Sequence, residues 1–480
     1  MTLARLTAIL GLAAVALAIR AEAYEQNFWP VYVAQKSPDG KTLSWEGAGP
    51  FLFSGSMPGP EAGTASGLRP FYARITIAGS VRKDFLYPLF FWRNYPEAYK
   101  WSFYNLINGE GIDSSVAKSG GPKDKHFDVW PFYFSHVTDT PVDSYHALLP
   151  VYGNIKFRIG FDRLSWVAFP LYVQTLKKGR TSTYTPWPIV RVIRGTENGF
   201  DLWPLFGFTK GPGPERRSFF IWPFGWNNVL EPKPDSPEGA PLRTQFGAIP
   251  FYTSETAQGF VNKSYFWPFF GYTDQTYPFR YSEERYFWPF LVQGRGDDRL
   301  VDRWGPFYTH SNIKGKDSTW VVWPLWHQTK WADDDIEQTK TQFYYFLYYS
   351  IFQTSVSRPS LAPAYKRHVW PLFSIWDNGA GSRQVQVLSP VELFFPNNPD
   401  VRIIWAPLSA IYRYDHQPTG ETRTSLLWNA VTWRHAPTGG LVEFHVGPLL
   451  GMHRAPSGDA WTILGFDFGA KEGTFSTANR

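Results

Sequence analysis

Short apolar runs built around an aromatic–proline pair alternate along this chain with polar, glycine-rich stretches. The apolar cores read FWPVYV (28–33), YPLFFW (87–92), VWPFYF (129–134), LLPVYG (148–153), AFPLYV (168–173), LWPLFGF (202–208), IWPFGW (221–226), AIPFYT (248–253), FWPFFGY (266–272), FWPFLV (287–292), GPFYTH (305–310), VWPLWH (322–327) and VWPLFS (369–374). From about residue 130 onward most recur about every 19 residues, which marks an internal repeat. Between them lie GTENG (195–199), GPGPERR (211–217), GRGDDR (294–299) and DNGAGSR (377–383), the punctuation expected between strands. One repeat therefore predicts one strand of about ten residues plus one turn. That is too short for a four-stranded propeller blade, which needs roughly 40 residues. It suits an up-and-down antiparallel sheet, and it also suits one rung of a solenoid.

The segment LVEFHVGPLLGMHR (441–454) sharpens this expectation. Val442, Phe444, Val446, Pro448, Leu450 and Met452 fall on one face, and Glu443, His445, Gly447, Leu449, Gly451 and His453 on the other. Read as one long strand, it joins SLLWNAVTWR (425–434) and AWTILGFDFG (460–469) through short turns. Alternating segments of about ten residues separated by turns are the signature of a transmembrane β-barrel, and a soluble sheet with one wet face alternates in the same way. The prolines constrain both readings. Proline cannot donate to a ladder, and Pro289 placed at either end of a crossing strand leaves a segment too polar or too short for lipid. The prolines are therefore expected at mid-strand bulges or bends.

Composition adds a compartment. Aromatic residues make up 19% of the 480, with 23 Trp, 26 Tyr and 40 Phe, while 41 Gly and 40 Pro supply turns. The absence of cysteine excludes disulfides, thiolate nucleophiles and cysteine-ligated metals. Residues 1–23, with Arg5, an apolar run from Leu6 to Ile19 and the small-residue pattern Ala21-Glu22-Ala23, read as a signal peptide cut after Ala23, or after Ala18. No later stretch is long and apolar enough for a membrane helix. A formal charge of +6 comes from evenly spread charges, so no nucleic-acid surface is expected. Two loop-rich stretches, 36–68 and 231–241, decorate what reads as a single domain over 24–480.

Chemistry is sparse. The histidines are scattered as singles without metal-ligand spacing. His445 and His453, eight residues apart on one face, would stand roughly 26 Å apart along a continuous strand, too far to share a metal. Asp333, Asp334, Asp335 and Glu337 form an acidic cluster without the glycine and spacing of a calcium loop. No nucleophile elbow, phosphate loop or dinucleotide fingerprint is present, so neither catalysis nor a cofactor is expected. Aromatic surfaces stack on sugar rings, which makes Trp222, Trp226, Trp288, Trp323 and Trp326 a candidate aromatic lining for glycans.

The leader, the missing cysteines, the short turns, the alternating segments and the hairpin run over 425–469 together resemble bacterial outer-membrane β-barrel proteins as a class. The resemblance covers most of the chain after the leader. It implies an all-β fold, a large up-and-down antiparallel β-barrel of about 18–22 strands, acting as a channel or envelope scaffold in the outer membrane. Its partners would be outer-membrane lipid and the barrel-assembly machinery. The alternative is a soluble curved sheet or β-solenoid-like repeat fold, periplasmic or secreted, that binds glycans or protein partners through its aromatic strands.

Overall fold

The computed structural model describes residues 24–469 apart from 38, 58–62, 113–122, 233–238, 393–399 and 456–457. The expected leader over 1–23 lies outside the described residues. The fold is all-β, and the described residues form 44 strands of four to eight residues in one antiparallel sheet. Two compact units are present. One takes the described residues up to Pro88 and from Arg358 onward, the other Leu89–Ser357. Within the second, every strand from Phe90–Asn94 to Tyr348–Ser355 pairs with its chain neighbours. In the first unit, Tyr24–Phe28 pairs with Tyr32–Lys36 and Phe466–Gly469 with Gly458–Ile463, and these first and last strands do not pair with each other. The sheet is not closed into a barrel.

The repeat is real, but its content differs from the expectation of one long strand. Each period of about 19 residues folds as a hairpin, two short strands with the aromatic–proline core as the turn between them. The expected 18–22 strands are corrected to 44 for this reason. The segment 441–454 is likewise two strands, Leu441–Val446 and Leu450–Ala455, folded back so that Glu443 stands opposite His453. The stretch 36–68, expected to be loop-rich, contains the strands Thr42–Gly47, Leu52–Met57 and Gly63–Leu68. The strands on either side of 231–241, Gly225–Leu230 and Arg243–Ala248, pair directly.

The prolines are turn residues, not bulges. Between the strands Tyr281–Tyr286 and Leu291–Gly296, the Phe290 N–H donates to the Phe287 carbonyl at 2.8 Å, so Pro289 sits at the third position of a four-residue turn, after a cis bond. That is the place a cis proline takes in a type VI turn, where its missing N–H leaves no bond unmade. The residue before the proline has a different partner. The Trp288 N–H donates to the Phe269 carbonyl in the preceding apolar turn at 2.9 Å, and the pattern repeats for Trp222 to Pro204, Trp203 to Ile189, Trp187 to Pro170 and Trp323 to Pro306. Turn is thus stitched to turn, and the ladder continues past the strand ends.

Because strands alternate in direction, these turns all fall on one edge of the sheet. The turns on the opposite edge are polar, among them Lys178-Gly179, Gln258-Gly259, Asp297-Asp298, Lys314-Gly315 and Asp334-Asp335, with Ile159 and Tyr277-Pro278-Phe279 as apolar exceptions. Across the sheet, side chains alternate as the pleat requires. Tyr281, Glu283 and Arg285 face the more buried side, while Ser282, Glu284 and Tyr286 are exposed.

Glycines on the covered face make room for aromatic rings. Gly153 stands opposite Trp166, Gly109 opposite Trp101, and Gly247 opposite Trp226. The Trp166 indole lies flat over Gly153, its Nε1 donating to the Leu148 carbonyl at 3.3 Å, and packs with Phe134, Tyr145, Ala147, Ile155 and Val173 in the apolar core of this unit. The other unit has its own core, where Val401, Ile404 and Trp405 of a π-helical turn Val401–Trp405 meet Phe53, Met57, Ala65, Ala73 and Ile75.

A Cβ at Gly153 would stand 2.2 Å from the Trp166 ring. Gly153→Ala is therefore expected to destabilise by about 1–3 kcal/mol. At Gly440 a Cβ meets nothing within 4 Å, and Gly440→Ala is expected to stay within about 0.5 kcal/mol. Urea denaturation of both variants checks the contrast.

Candidate functional site: an apolar rim of hairpin tips

The tips present exposed apolar side chains. Phe287, Trp288 and Phe290 are exposed, as are Phe266, Trp267 and Phe269 in the preceding apolar tip, and Ile221, Trp222 and Phe224 further back. The residue that opens these turns has a positive φ: 49° at Phe287, 43° at Phe266, 48° at Ile221 and 48° at Val322. A left-handed conformation costs an L-residue roughly 1–2 kcal/mol, which glycine does not incur. Phe287 is 58% exposed and Phe266 is 64% exposed, so packing within the chain does not offset that cost. A protein that needed only the turn would be better served by glycine.

The exposed face carries a gradient along each strand. In Arg216–Phe220, the outward residues run from Arg216 through Ser218 to Phe220 at the tip. In Phe206–Lys210 they run from Phe206 and Phe208 near the tip to Lys210 at the far end, and in Leu291–Gly296 from Leu291 to Gln293 and Arg295. The result is an apolar rim with a polar band behind it. Continuous exposed apolar surface on this scale marks an interaction site.

The expected aromatic lining is distributed over several places. Trp222, Trp288 and Trp323 are on tips, and the Trp323 Nε1 donates to the Tyr345 hydroxyl at 3.0 Å. Trp226 lies on the covered face over Gly247, and Trp326 opens the strand Trp326–Asp333 half-buried. Trp226 and Trp288 line a hollow of about 430 Å³ with Arg285, Asn262 and Ser264. Trp222 and Trp226 line a second, of about 410 Å³, where Glu197 lies between Arg180 and Arg217. Trp323 and Trp326 line neither. In the first hollow Arg285 is already committed to Glu283, Asn262 and Thr273 at 2.7–3.0 Å.

The histidines are less scattered than their spacing suggests. His126 stands directly opposite His136 on adjacent strands, with ring centroids 3.8 Å apart, and Asp124 is 2.9 Å from His136. The ligand atoms of this trio lie within 4.8 Å of one another. Stacked rings direct their lone pairs side by side rather than at one point, so the trio is a hydrogen-bonded pair on the sheet and not a formed metal centre. Within the acidic cluster, Asp335 is used locally, accepting from the Ser355 hydroxyl and the Ser357 N–H at 2.7 Å each.

His445 and His453 provide the clearest correction. The turn at 447–449 cancels the expected 26 Å, and both approach Glu443, His445 at 3.3 Å and His453 at 3.7 Å. Arg434 pairs with the same carboxylate at 3.1 Å. Glu25, Asn27, Thr432 and Arg423 continue this buried polar network, Arg423 binding Glu25 at 2.8 Å. Burial pushes the Glu443 carboxyl up, but the His445 hydrogen bond, the neighbouring His453 and the Arg434 charge outweigh it and lower it to about 2.

Among known protein families and characterised proteins, the chain matches none.

A carboxyl lowered in the folded state stabilises above its ordinary value, and that stabilisation is lost as pH falls through the folded value. Stability of the unit containing Glu443 is expected to decline between about pH 5 and pH 2. Glu443→Gln should flatten that limb and cost about 3–5 kcal/mol at pH 7 by removing the buried carboxylate charge that Arg434, His445 and His453 share. Denaturant titrations across this pH range measure both effects.

Proposed function

We propose that this protein is an envelope scaffold that rests on a lipid surface by its apolar rim, with the polar edge of the sheet in water. The observation that supports this most directly is the set of bulky apolar residues held exposed at positive φ, where glycine would serve the fold better. Trp and Tyr favour the membrane–water boundary, and the rim is rich in them. Each Leu or Phe fully transferred from water contributes roughly 1.5–3 kcal/mol. Few such tips suffice for stable attachment.

Lipid fits better than a protein partner because the tips share polarity but not shape. Trp-Pro-Phe, Phe-Pro-Leu, Ile-Pro-Phe and Tyr-Tyr-Phe-Leu alternate without a common side-chain register. A bilayer needs no register. Strands of at most eight residues, polar on the exposed face behind the tips, suit a rim dipped about 5–10 Å into one leaflet. A pore wall would need crossing strands of about 9–11 residues. In this reading the outer membrane is the surface, as the resemblance to outer-membrane proteins implies, and the role is attachment rather than conduction.

Flotation with phosphatidylcholine–phosphatidylglycerol vesicles tests this. The full chain is expected to float with the vesicles and to remain bound in high salt, since the contact is apolar. Replacing Phe266, Phe287, Ile221 and Val322 together by Gly leaves other exposed tips in place, so it should lower the vesicle partition coefficient by at least about tenfold rather than abolish flotation, without lowering the thermal midpoint. An unchanged partition coefficient would refute the assignment of the rim.

A further inference from the structure

A second site lies inside the unit that holds the two ends of the described chain. A cavity of about 400 Å³ is lined by Trp45, Trp376, Trp428, Gln384, Arg402 and Arg413, among others. Its charged groups are matched with one exception. Arg69 pairs with Glu46 at 2.8 Å, Arg413 with Asp415 at 2.8 Å, Arg423 with Glu25 at 2.8 Å, and Arg383 with Asp377 at 2.8 Å. Arg402 is 9% exposed, and its guanidinium lies over the Trp376 ring, 3.9 Å from the centroid. Among the described residues no carboxylate bonds to it. Burial works against its charge, Glu392 and Asp415 favour it from a distance, and Arg413 opposes it.

The opposite need lies beside it. Gln384 stands directly across the strand pair from Trp376 and is 8% exposed. Its Nε2 donates to Asp415 at 2.7 Å, while its Oε1 has no hydrogen-bond partner. One tryptophan thus separates a guanidinium fork with unused donors from a carbonyl oxygen with unused lone pairs, and both line the same cavity. A buried polar group left unpaired costs roughly 1–3 kcal/mol. Two of opposite kind, adjacent across an aromatic ring, are complementary to a molecule that brings an anion and a hydroxyl together.

We infer that this cavity binds a small hydroxylated anion of the sugar-acid class, its carboxylate on Arg402 and a hydroxyl donating to Gln384 Oε1. The volume is ample for one such ring and lies within the range of small-molecule sites. The planar fork of Arg402 matches a carboxylate bidentately, which a lysine cannot do. Arg402 and Gln384 are not among the exposed tip residues, and the site does not depend on attachment to lipid.

Calorimetric titration of the full chain with D-glucuronate, D-glucose and sulfate tests the assignment. Glucuronate is expected to bind at least about tenfold more tightly than glucose, and Arg402→Lys to weaken glucuronate by about tenfold or more. Gln384→Leu should weaken glucuronate but leave sulfate unchanged, because sulfate has no donor to lose. Vesicle flotation should be the same in both variants, which separates failure here from failure of the rim. No glucuronate binding up to about 10 mM, or equal affinity in wild type and both variants, would overturn the inference. Should Arg402→Lys fail to fold by circular dichroism, the sulfate–glucuronate contrast in Gln384→Leu decides alone.

Discussion

The sheet depends on how its proline tips settle the backbone hydrogen bonds. A proline cannot donate, so an aromatic–proline pair within a ladder would leave a neighbouring carbonyl short in every repeat. Placing Pro289 at the third turn position removes that loss, and the freed N–H of Trp288 reaches the Phe269 carbonyl of the preceding apolar tip. The same bond recurs from Trp187 to Trp323. It makes the tips part of the sheet rather than loose loops, and it is why bulky side chains can be held in water without collapsing onto the strands.

The two edges then diverge in chemistry while the two faces diverge in packing. Along each strand the outward side chains run from aromatic at the tip to charged at the far end, as in Phe220, Ser218 and Arg216. Inward, glycines such as Gly153 and Gly247 lie beneath tryptophans, and carboxylates such as Glu443 are held by cationic neighbours. Apolar contact with the surroundings and polar order within are therefore assigned to different parts of the same short strand.

Much of this was legible in the sequence, but not at the right scale. The period of about 19 residues and the antiparallel meander were readable from the spacing of FWPF-like cores and glycine-rich breaks. Strand length was misread because turn signals are ordinarily polar, and half the turns here are the most apolar segments of the chain. Treating FWPF as strand doubled the apparent strand length, halved the strand number, and placed His445 and His453 far apart when a hairpin brings both to Glu443. A cue lay in the position before most Trp-Pro pairs, where Phe, Ile, Val or Leu stands, four of them, Ile221, Phe266, Phe287 and Val322, at positive φ. Arg402 and Gln384 left no such trace, since they come from separate segments and only cross-strand pairing through Trp376 brings them together.

The alternation of apolar and polar turns, which few turns break, also constrains how such a chain can change in length. Gain or loss of a whole hairpin returns the next strand to its original direction, and every later tip stays on its own edge. Gain or loss of a single strand reverses all that follow, sending each downstream aromatic tip to the polar edge and each Asp-Asp or Lys-Gly turn to the apolar one. The architecture therefore tolerates insertions by parity. Its unit of growth is two strands, and a one-strand slip is an error that no local repacking can correct.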